Sequence, residues 1–295
     1  MEAIAQLPLL TRINARDMLE AIGLDRVKRG RTLLERICFP AARRFAHEVA
    51  SYDQLVGREG LREGARWILS RNVARVEVSG QGIVPTEGPL LIVSNHPGLA
   101  DAMALFASLP RNDLKVVAFD RPFLRALSHT SEYLIYLSPH EENRIGVLRK
   151  VANQLSRGGA VLIFPGGRIE PDPSILPGAA DALERWSNSI GLIVRLARHA
   201  QILPAIVSGV LSQSAHRHPF TLLRQTPEDR ERLAAMLQII VPAYRDVTVR
   251  VAFGPPINAE TLLSSGKDSE AITRAVIGRA RLLIEKPSDD WQSVI

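Results

Sequence analysis

The hydrophobic and polar positions fall into two textures that meet near residue 73. Before it, apolar residues recur at three- and four-residue spacing, as in Leu33, Leu34 and Ile37 or Leu61, Ala65, Ile68 and Leu69, the period of amphipathic helices. This spacing predicts helices near 11–22, 25–37, 40–55 and 60–72, punctuated by Pro40 and by Gly57 and Gly60. From Val73 onward short β-rich runs take over: Arg75–Val78, Leu90–Ser94, Lys115–Phe119, Tyr133–Leu137, Ala160–Phe164, Leu203–Val207 and Val247–Phe253. Helix-like stretches at 99–109, 121–130, 139–157, 177–199, 227–241 and 259–285 separate them. Two carry start signals, Ser138-Pro139-His140-Glu141 and Thr226-Pro227-Glu228-Asp229, each with a capping hydroxyl and proline at the first helical position. Such alternation predicts an α/β fold with a largely parallel or mixed sheet flanked by helices. The expected division is a helical segment at 1–73 and an α/β domain at 74–295.

Composition narrows the class. With 46% hydrophobic and 23% charged residues, the 295-residue chain is neither disordered nor a disulfide scaffold. Its single cysteine, Cys38, cannot form an internal disulfide or a cysteine-based zinc site, and reads as a small buried helix residue. A membrane span needs about 20 apolar residues. The longest stretch free of Asp, Glu, Lys and Arg, 199–216, contains two His, two Gln, three Ser and Pro204 and is too polar. No basic cluster precedes an apolar core at the N-terminus, so no signal peptide is expected. A cytoplasmic protein, soluble or peripheral to a membrane, is the expectation.

Charge adds a partner. Residues 1–75 hold 14 Lys/Arg against 9 Asp/Glu, whereas the remainder holds 23 against 22. Nearly all of the +6 excess therefore sits in the helical segment, where Arg43, Arg44, Arg58, Arg62 and Arg66 fall on predicted helices. A basic surface attracts phosphate, in nucleic acid or lipid. Aromatic residues are only 5% and no nucleic-acid motif occurs, so an anionic membrane surface is expected and nucleic acid is not. A solvated face without a partner is the plain alternative.

Candidate chemistry lies at two strand ends, where α/β sheets collect their reactive groups. The run 90–94 stops at Asn95 and His96, and Pro97-Gly98 turns the chain into a helix holding Asp101. A five-residue offset across that turn brings a carboxylate back to the imidazole. It would accept the Nδ1 proton and leave Nε2 as a base. The same residues also read as a capping Asp and an exposed turn histidine. At the second end, 160–164 runs into Pro165-Gly166-Gly167-Arg168. Two glycines allow close approach to an anion and the arginine adds a bidentate grip; an ordinary turn with a solvated arginine is the other reading. No G-x-S-x-G elbow, P-loop or H-E-x-x-H occurs, Pro85 stands where Gly80-x-Gly82 needs its third glycine, and His216-x-His218 lacks acidic or thiol partners for a metal.

Together, Asn95-His96-x4-Asp101, Phe164-Pro165-Gly166-Gly167-Arg168 some 68 residues on, and Ile202–Val207 around Pro204 resemble the blocks of the glycerolipid acyltransferase superfamily. The resemblance spans about 75–255. The family's glutamate after the Phe-Pro pair is replaced by Gly166, and the arginine falls one place early. Gly166-Gly167-Arg168 with Pro171-Asp172-Pro173 is closer to the soluble plastid-type glycerol-3-phosphate acyltransferases. The family's second-block arginine has no equivalent at Ser138–His140, the nearest being Arg144.

The resemblance implies transfer of a fatty acyl group from a thioester, acyl-CoA or acyl carrier protein, to a glycerol-phosphate or lysolipid hydroxyl. His96 would be the general base and Asp101 its orienting partner. Asn95, Gly98, Gly166, Gly167 and Arg168 would bind substrate, with backbone N–H groups near Gly98 as oxyanion donors. No bound cofactor and no metal are implied. Two further readings stay open: a phosphate-free or amino-lipid acceptor, and a non-catalytic lipid-binding protein of the same fold.

Overall fold

The computed structural model describes residues 2–24, 31–98, 100–138 and 144–295. They divide into two compact units. The sheet unit, 75–120, 133–210 and 248–295, is built on nine strands: β1 Arg75–Ser79, β2 Leu90–Ser94, β3 Leu114–Phe119, β4 Leu134–Leu137, β5 Ala160–Ile163, β6 Gln201–Ser208, β7 Thr248–Phe253, β8 Ile257–Asn258 and β9 Gln292–Ser293. The order is β4-β3-β5-β2-β6-β7-β1-β9, with β8 also on β6. Strands β4 to β6 are mutually parallel, β7 runs against β6, β1 parallels β7, and β9 closes the edge antiparallel. The sheet is thus mixed and largely parallel, as the alternation of runs predicts. Parallel central strands need apolar cover on both faces, and all five residues of β2 are buried.

Strand alternation sorts this core. Leu91 and Val93, Val161 and Ile163, and Ile202 and Ile206 share one face and pack with Ile190, Ile193, Val194, Ile272, Val276 and Ile277. Leu91 is fully buried, so Leu91→Ala should cost about 2–5 kcal/mol. The opposite face meets the helix after β2.

The helical unit is not confined to the first 73 residues. It comprises 1–74, 121–132 and 211–247, because Leu233 and Met236 of the last segment complete an apolar cluster with Ala15, Met18, Ala21 and Ala42. Buried Asp53 likewise binds the segment 121–132, accepting from Thr130 N–H at 2.8 Å and Thr130 Oγ at 2.7 Å. Its first helices are α1 Glu2–Ile22, α2 Arg31–Glu59 and α3 Leu61–Asn72. Pro40 does not divide α2. Fully buried Ala42 and Ala46 follow it, and Asn14 donates to the Ala42 carbonyl at 3.3 Å, so packing on α1 outweighs one missing N–H.

The remaining helices are shorter than the periodicity suggests. The stretch 121–130 forms two four-residue helices, Pro122–Arg125 and Ser128–Ser131. The stretch 259–285 breaks at Gly266, which has φ +70°, and restarts after the Asp268 cap. The stretch 177–199 breaks at Trp186, whose extended backbone separates Leu183–Arg185 from Ser189–Leu196. The Thr226 cap is present, accepting from Asp229 N–H at 3.1 Å. The start signal at 138–141 lies almost wholly outside the described residues.

Candidate active site

Strand β2 ends at Ser94, whose partner in the β6 ladder is Ala205. Beyond that point the backbone of β6 continues, and Asn95 pairs with it through its side chain. Its Nδ2 donates to the Val207 carbonyl at 2.9 Å and its Oδ1 accepts from Val207 N–H at 2.7 Å. With 2% exposure, Asn95 is a strand-end clip. Each end of its amide makes a bond to the β6 backbone.

The next residue, His96, stands at the turn. Helix α4, Ala100–Ser108, carries Asp101 in its first turn. The Asp101 side chain is 0% exposed, and its Oδ2 lies 2.7 Å from His96 Nδ1. The same oxygen accepts from Gly98 N–H at 3.0 Å. A carboxylate only accepts, so Nδ1 carries the proton and Nε2 keeps its lone pair. The His96 side chain is 30% exposed and its ring lies 4.8 Å, centroid to centroid, from that of Phe164. It is therefore not a free turn residue. The Gly98 N–H is thus engaged by Asp101.

The second strand end lies beside the first, since β5 pairs in parallel with β2. After Phe164 and Pro165 the chain turns through Gly167, which has φ +64° and donates its N–H to the Phe164 carbonyl at 3.1 Å. That N–H closes the turn. A Cβ at Gly166 would lie 2.8 Å from Cδ of Glu170, so the glycine makes room for that carboxylate. Arg168 is exposed, and among the described residues no hydrogen bond or ion pair holds its guanidinium. Two residues on, the chain returns to the histidine. Glu170 N–H donates to the His96 carbonyl at 2.9 Å, and Glu170 Oε2 accepts from His96 N–H at 3.0 Å.

Residues 75–208 match the family model described as Acyltransferase. That stretch, 134 of the 295 residues, is an acyltransferase domain. Among solved structures it is similar to the crystal structure of the 1-acyl-sn-glycerophosphate (LPA) acyltransferase PlsC from Thermotoga maritima. That alignment has 17% identity and a TM-score of 0.45, covering 98% of this chain and 100% of the other. No curated protein matches the chain by sequence.

Within the acyltransferase domain, burial and charge act on the dyad in opposite senses. Burial lowers the His96 pKa, but the Asp101 charge, the hydrogen bond to it and the Glu170 charge outweigh this and leave it raised. Burial raises the pKa of Glu170, against hydrogen bonds from Trp186 and from the His96 backbone. Three residues of this domain had no role assigned in the motif reading: Glu170, Trp186 and Asp172, the last quoted there only within Pro171-Asp172-Pro173. Trp186 Nε1 donates to Glu170 Oε1 at 2.9 Å. Asp172 accepts from Gly209 N–H and Val210 N–H, both at 2.8 Å, at the end of β6. The available signal was two acids set against prolines, Glu170-Pro171-Asp172-Pro173, directly after a buried strand. Among the described residues no group of three or more His, Cys, Asp or Glu is placed to hold a metal ion.

Proposed function

We propose that this acyltransferase moves a fatty acyl group from acyl-CoA or acyl carrier protein to a hydroxyl of a glycerol-phosphate or lysophospholipid acceptor. The observation that carries this is the 2.7 Å contact between His96 Nδ1 and a fully buried Asp101. It leaves Nε2 as the free acceptor on a partly exposed ring. Nε2 takes the hydroxyl proton, and the oxygen attacks the thioester carbonyl. The tetrahedral intermediate collapses, the C–S bond breaks, and the departing thiolate takes the proton back from the imidazolium. Asp101 holds the tautomer and offsets the positive charge on the ring. Arg168 binds the acceptor's anionic group beside the reacting hydroxyl.

A second acceptor class is favoured by a specific observation. Gly98 N–H and Gly167 N–H are both engaged internally, so the anion grip falls on Arg168, and a phosphate-free or amino-lipid acceptor would need only the dyad. The test is mass spectrometry of products formed from acyl thioesters and a panel of phosphorylated and dephosphorylated glycerol and lysolipid acceptors. Acylation of glycerol 3-phosphate or lysophosphatidate supports the first reading. Acylation of dephosphorylated acceptors alone supports the second, and no acylated lipid refutes both.

Peripheral docking on an anionic membrane surface on the cytoplasmic side belongs to the same proposal. No described helix is long and apolar enough to cross a bilayer. Helical periodicity brings Leu33, Arg36, Ile37, Arg43, Arg44 and Arg58 to one side of α2, all exposed. An apolar end followed by arginines suits a surface of anionic head groups. Arg62 and Arg66 of α3 are half-buried, and Arg66 pairs with Glu63 at 3.3 Å, so they contribute less.

A further inference from the structure

Glu170 is a buried carboxylate for which the proton transfer described above has no use. It is 4% exposed, next to the reacting base. Burying an acid without compensation costs several kcal/mol or neutralises it, so its surroundings must answer it. Two donors do: Trp186 Nε1–H on Oε1 at 2.9 Å and His96 N–H on Oε2 at 3.0 Å. The return bond, from Glu170 N–H to the His96 carbonyl at 2.9 Å, makes the contact with His96 reciprocal. Three departures from ordinary patterning converge on this group. Gly166 lacks the Cβ that would strike it, the helix ends at Trp186 so that the indole reaches it, and Phe164 packs on the imidazole it supports.

We infer that Glu170 is a positioning residue of the acyl-transfer reaction, holding the His96 backbone and placing a second negative charge beside the imidazole. The inference rests on the reading of His96 as the general base. Only a carboxylate accepts on both oxygens; a glutamine would turn an NH2 toward one of the two donors. The titratable groups acting on His96 are Asp101 from α4 and Glu170 from the turn after β5, and those acting on Glu170 are His96 and Asp101. Arg168, two residues away, points into solvent. Both carboxylates favour the imidazolium that forms as the acceptor hydroxyl loses its proton. Glu170 therefore also bears on the pH at which Nε2 becomes available.

The experiment compares wild type, Glu170→Gln and the double variant Glu170→Gln/Trp186→Phe. The double variant removes the indole N–H and leaves the amide oxygen for His96 N–H. kcat and KM for palmitoyl-CoA and for lysophosphatidate are measured across pH. The His96 imidazole is titrated by 15N-histidine NMR and assigned by its loss in His96→Ala. In both variants kcat should fall by about 10²-fold, as for a reacting group displaced by a fraction of its contact distance, with KM little changed. The acidic limb of kcat and the NMR midpoint should both move to lower pH, because a negative charge is gone. Glu170→Asp keeps the charge on a shorter arm, so kcat should fall while the midpoint holds. Limb and midpoint at their wild-type positions in both variants, whatever the fall in kcat, would overturn the inference and leave a purely structural acid. Wild-type turnover in His96→Ala would instead overturn the general-base reading, and the NMR midpoint reports on Glu170 in that case too.

Discussion

Replacing Asn95 by alanine removes the side chain that continues the β2–β6 pairing past Ser94. The Val207 N–H and carbonyl, bonded to the amide at 2.7 and 2.9 Å, then face a buried space. Each buried polar group left unpaired costs about 1–3 kcal/mol. Two give about 2–6 kcal/mol, and a water entering the vacated volume brings this to about 2–4 kcal/mol. A domain with about 5–15 kcal/mol of stability stays folded after such a loss. Urea unfolding followed by circular dichroism reads it directly: with m near about 3 kcal/mol per M, the midpoint should fall by about 1 M at unchanged m. Asn95→Asp makes the diagnosis sharper. The new carboxylate still accepts from Val207 N–H but sets its other oxygen against the Val207 carbonyl. Its pKa is then higher in the folded than in the unfolded state, so folding takes up protons. Relative to wild type, this variant should be weakest at neutral pH and recover as pH falls and the protonated oxygen donates. A stability for Asn95→Ala within about 0.5 kcal/mol of wild type, with a raised substrate KM, would refute the clip and leave Asn95 as a substrate contact.

Other expectations concern the chemistry. His96→Ala should lower kcat by about 10²–10⁴ and also lower the melting temperature, because it takes the ring partner from the buried Asp101 carboxylate, and Asp101→Asn should be similarly severe in kcat because an amide can hold the wrong tautomer. Because the His96 pKa is raised, wild-type kcat/KM should begin to fall with decreasing pH above the ordinary histidine value of about 6.5; a limb below it would contradict the two-carboxylate setting. Arg168→Ala should raise the acceptor KM and leave the thioester KM unchanged, with only partial rescue in Arg168→Lys, and equal kcat/KM for phosphorylated and dephosphorylated acceptors would remove Arg168 from the site. Co-sedimentation should require anionic vesicles, weaken with salt, and fall in Arg36→Gln/Arg43→Gln, since each arginine near such a surface contributes about 1 kcal/mol; equal binding to neutral vesicles would leave the charge as a solvated face.

The sheet was legible because buried parallel strands are short apolar runs, and all seven predicted runs are strands within about two residues of their observed ends. The His96–Asp101 contact was legible because its geometry is local, five residues across one turn. What sequence could not give is contact at long separation. Glu170 meets His96 across 74 residues and Asn95 meets Val207 across 112, and neither pairing leaves a local spacing. The helix expected over 177–199 failed for a related reason. Its apolar period continues through Trp186, but the indole satisfies a buried acid that lies outside the segment, and that long-range bond goes with an extended backbone. The extra pieces of the helical unit, 121–132 and 211–247, were missed likewise. Their apolar residues find cover on helices distant in the chain.

These long-range contacts share one form. Parallel strands β2, β5 and β6 have their carboxyl ends on the same side of the sheet, and past their last ladder bonds the backbone has polar groups with no strand to pair with. Three buried side chains answer them: Asn95 takes Val207, Glu170 takes His96, and Asp172 takes Gly209 and Val210. The turns bearing the imidazole and Arg168 are thereby fixed to the sheet by side chains acting in place of strands. Catalysis by a positioned base needs its geometry set before substrate arrives, and loops held only by their own turns would not supply it. The same form separates two kinds of polar residue in one small region. Those whose polar atoms are all engaged with backbone, such as Asn95 and Asp172, hold the shape. Those with an atom left over, Nε2 of His96 and the guanidinium of Arg168, are the ones that can meet a substrate.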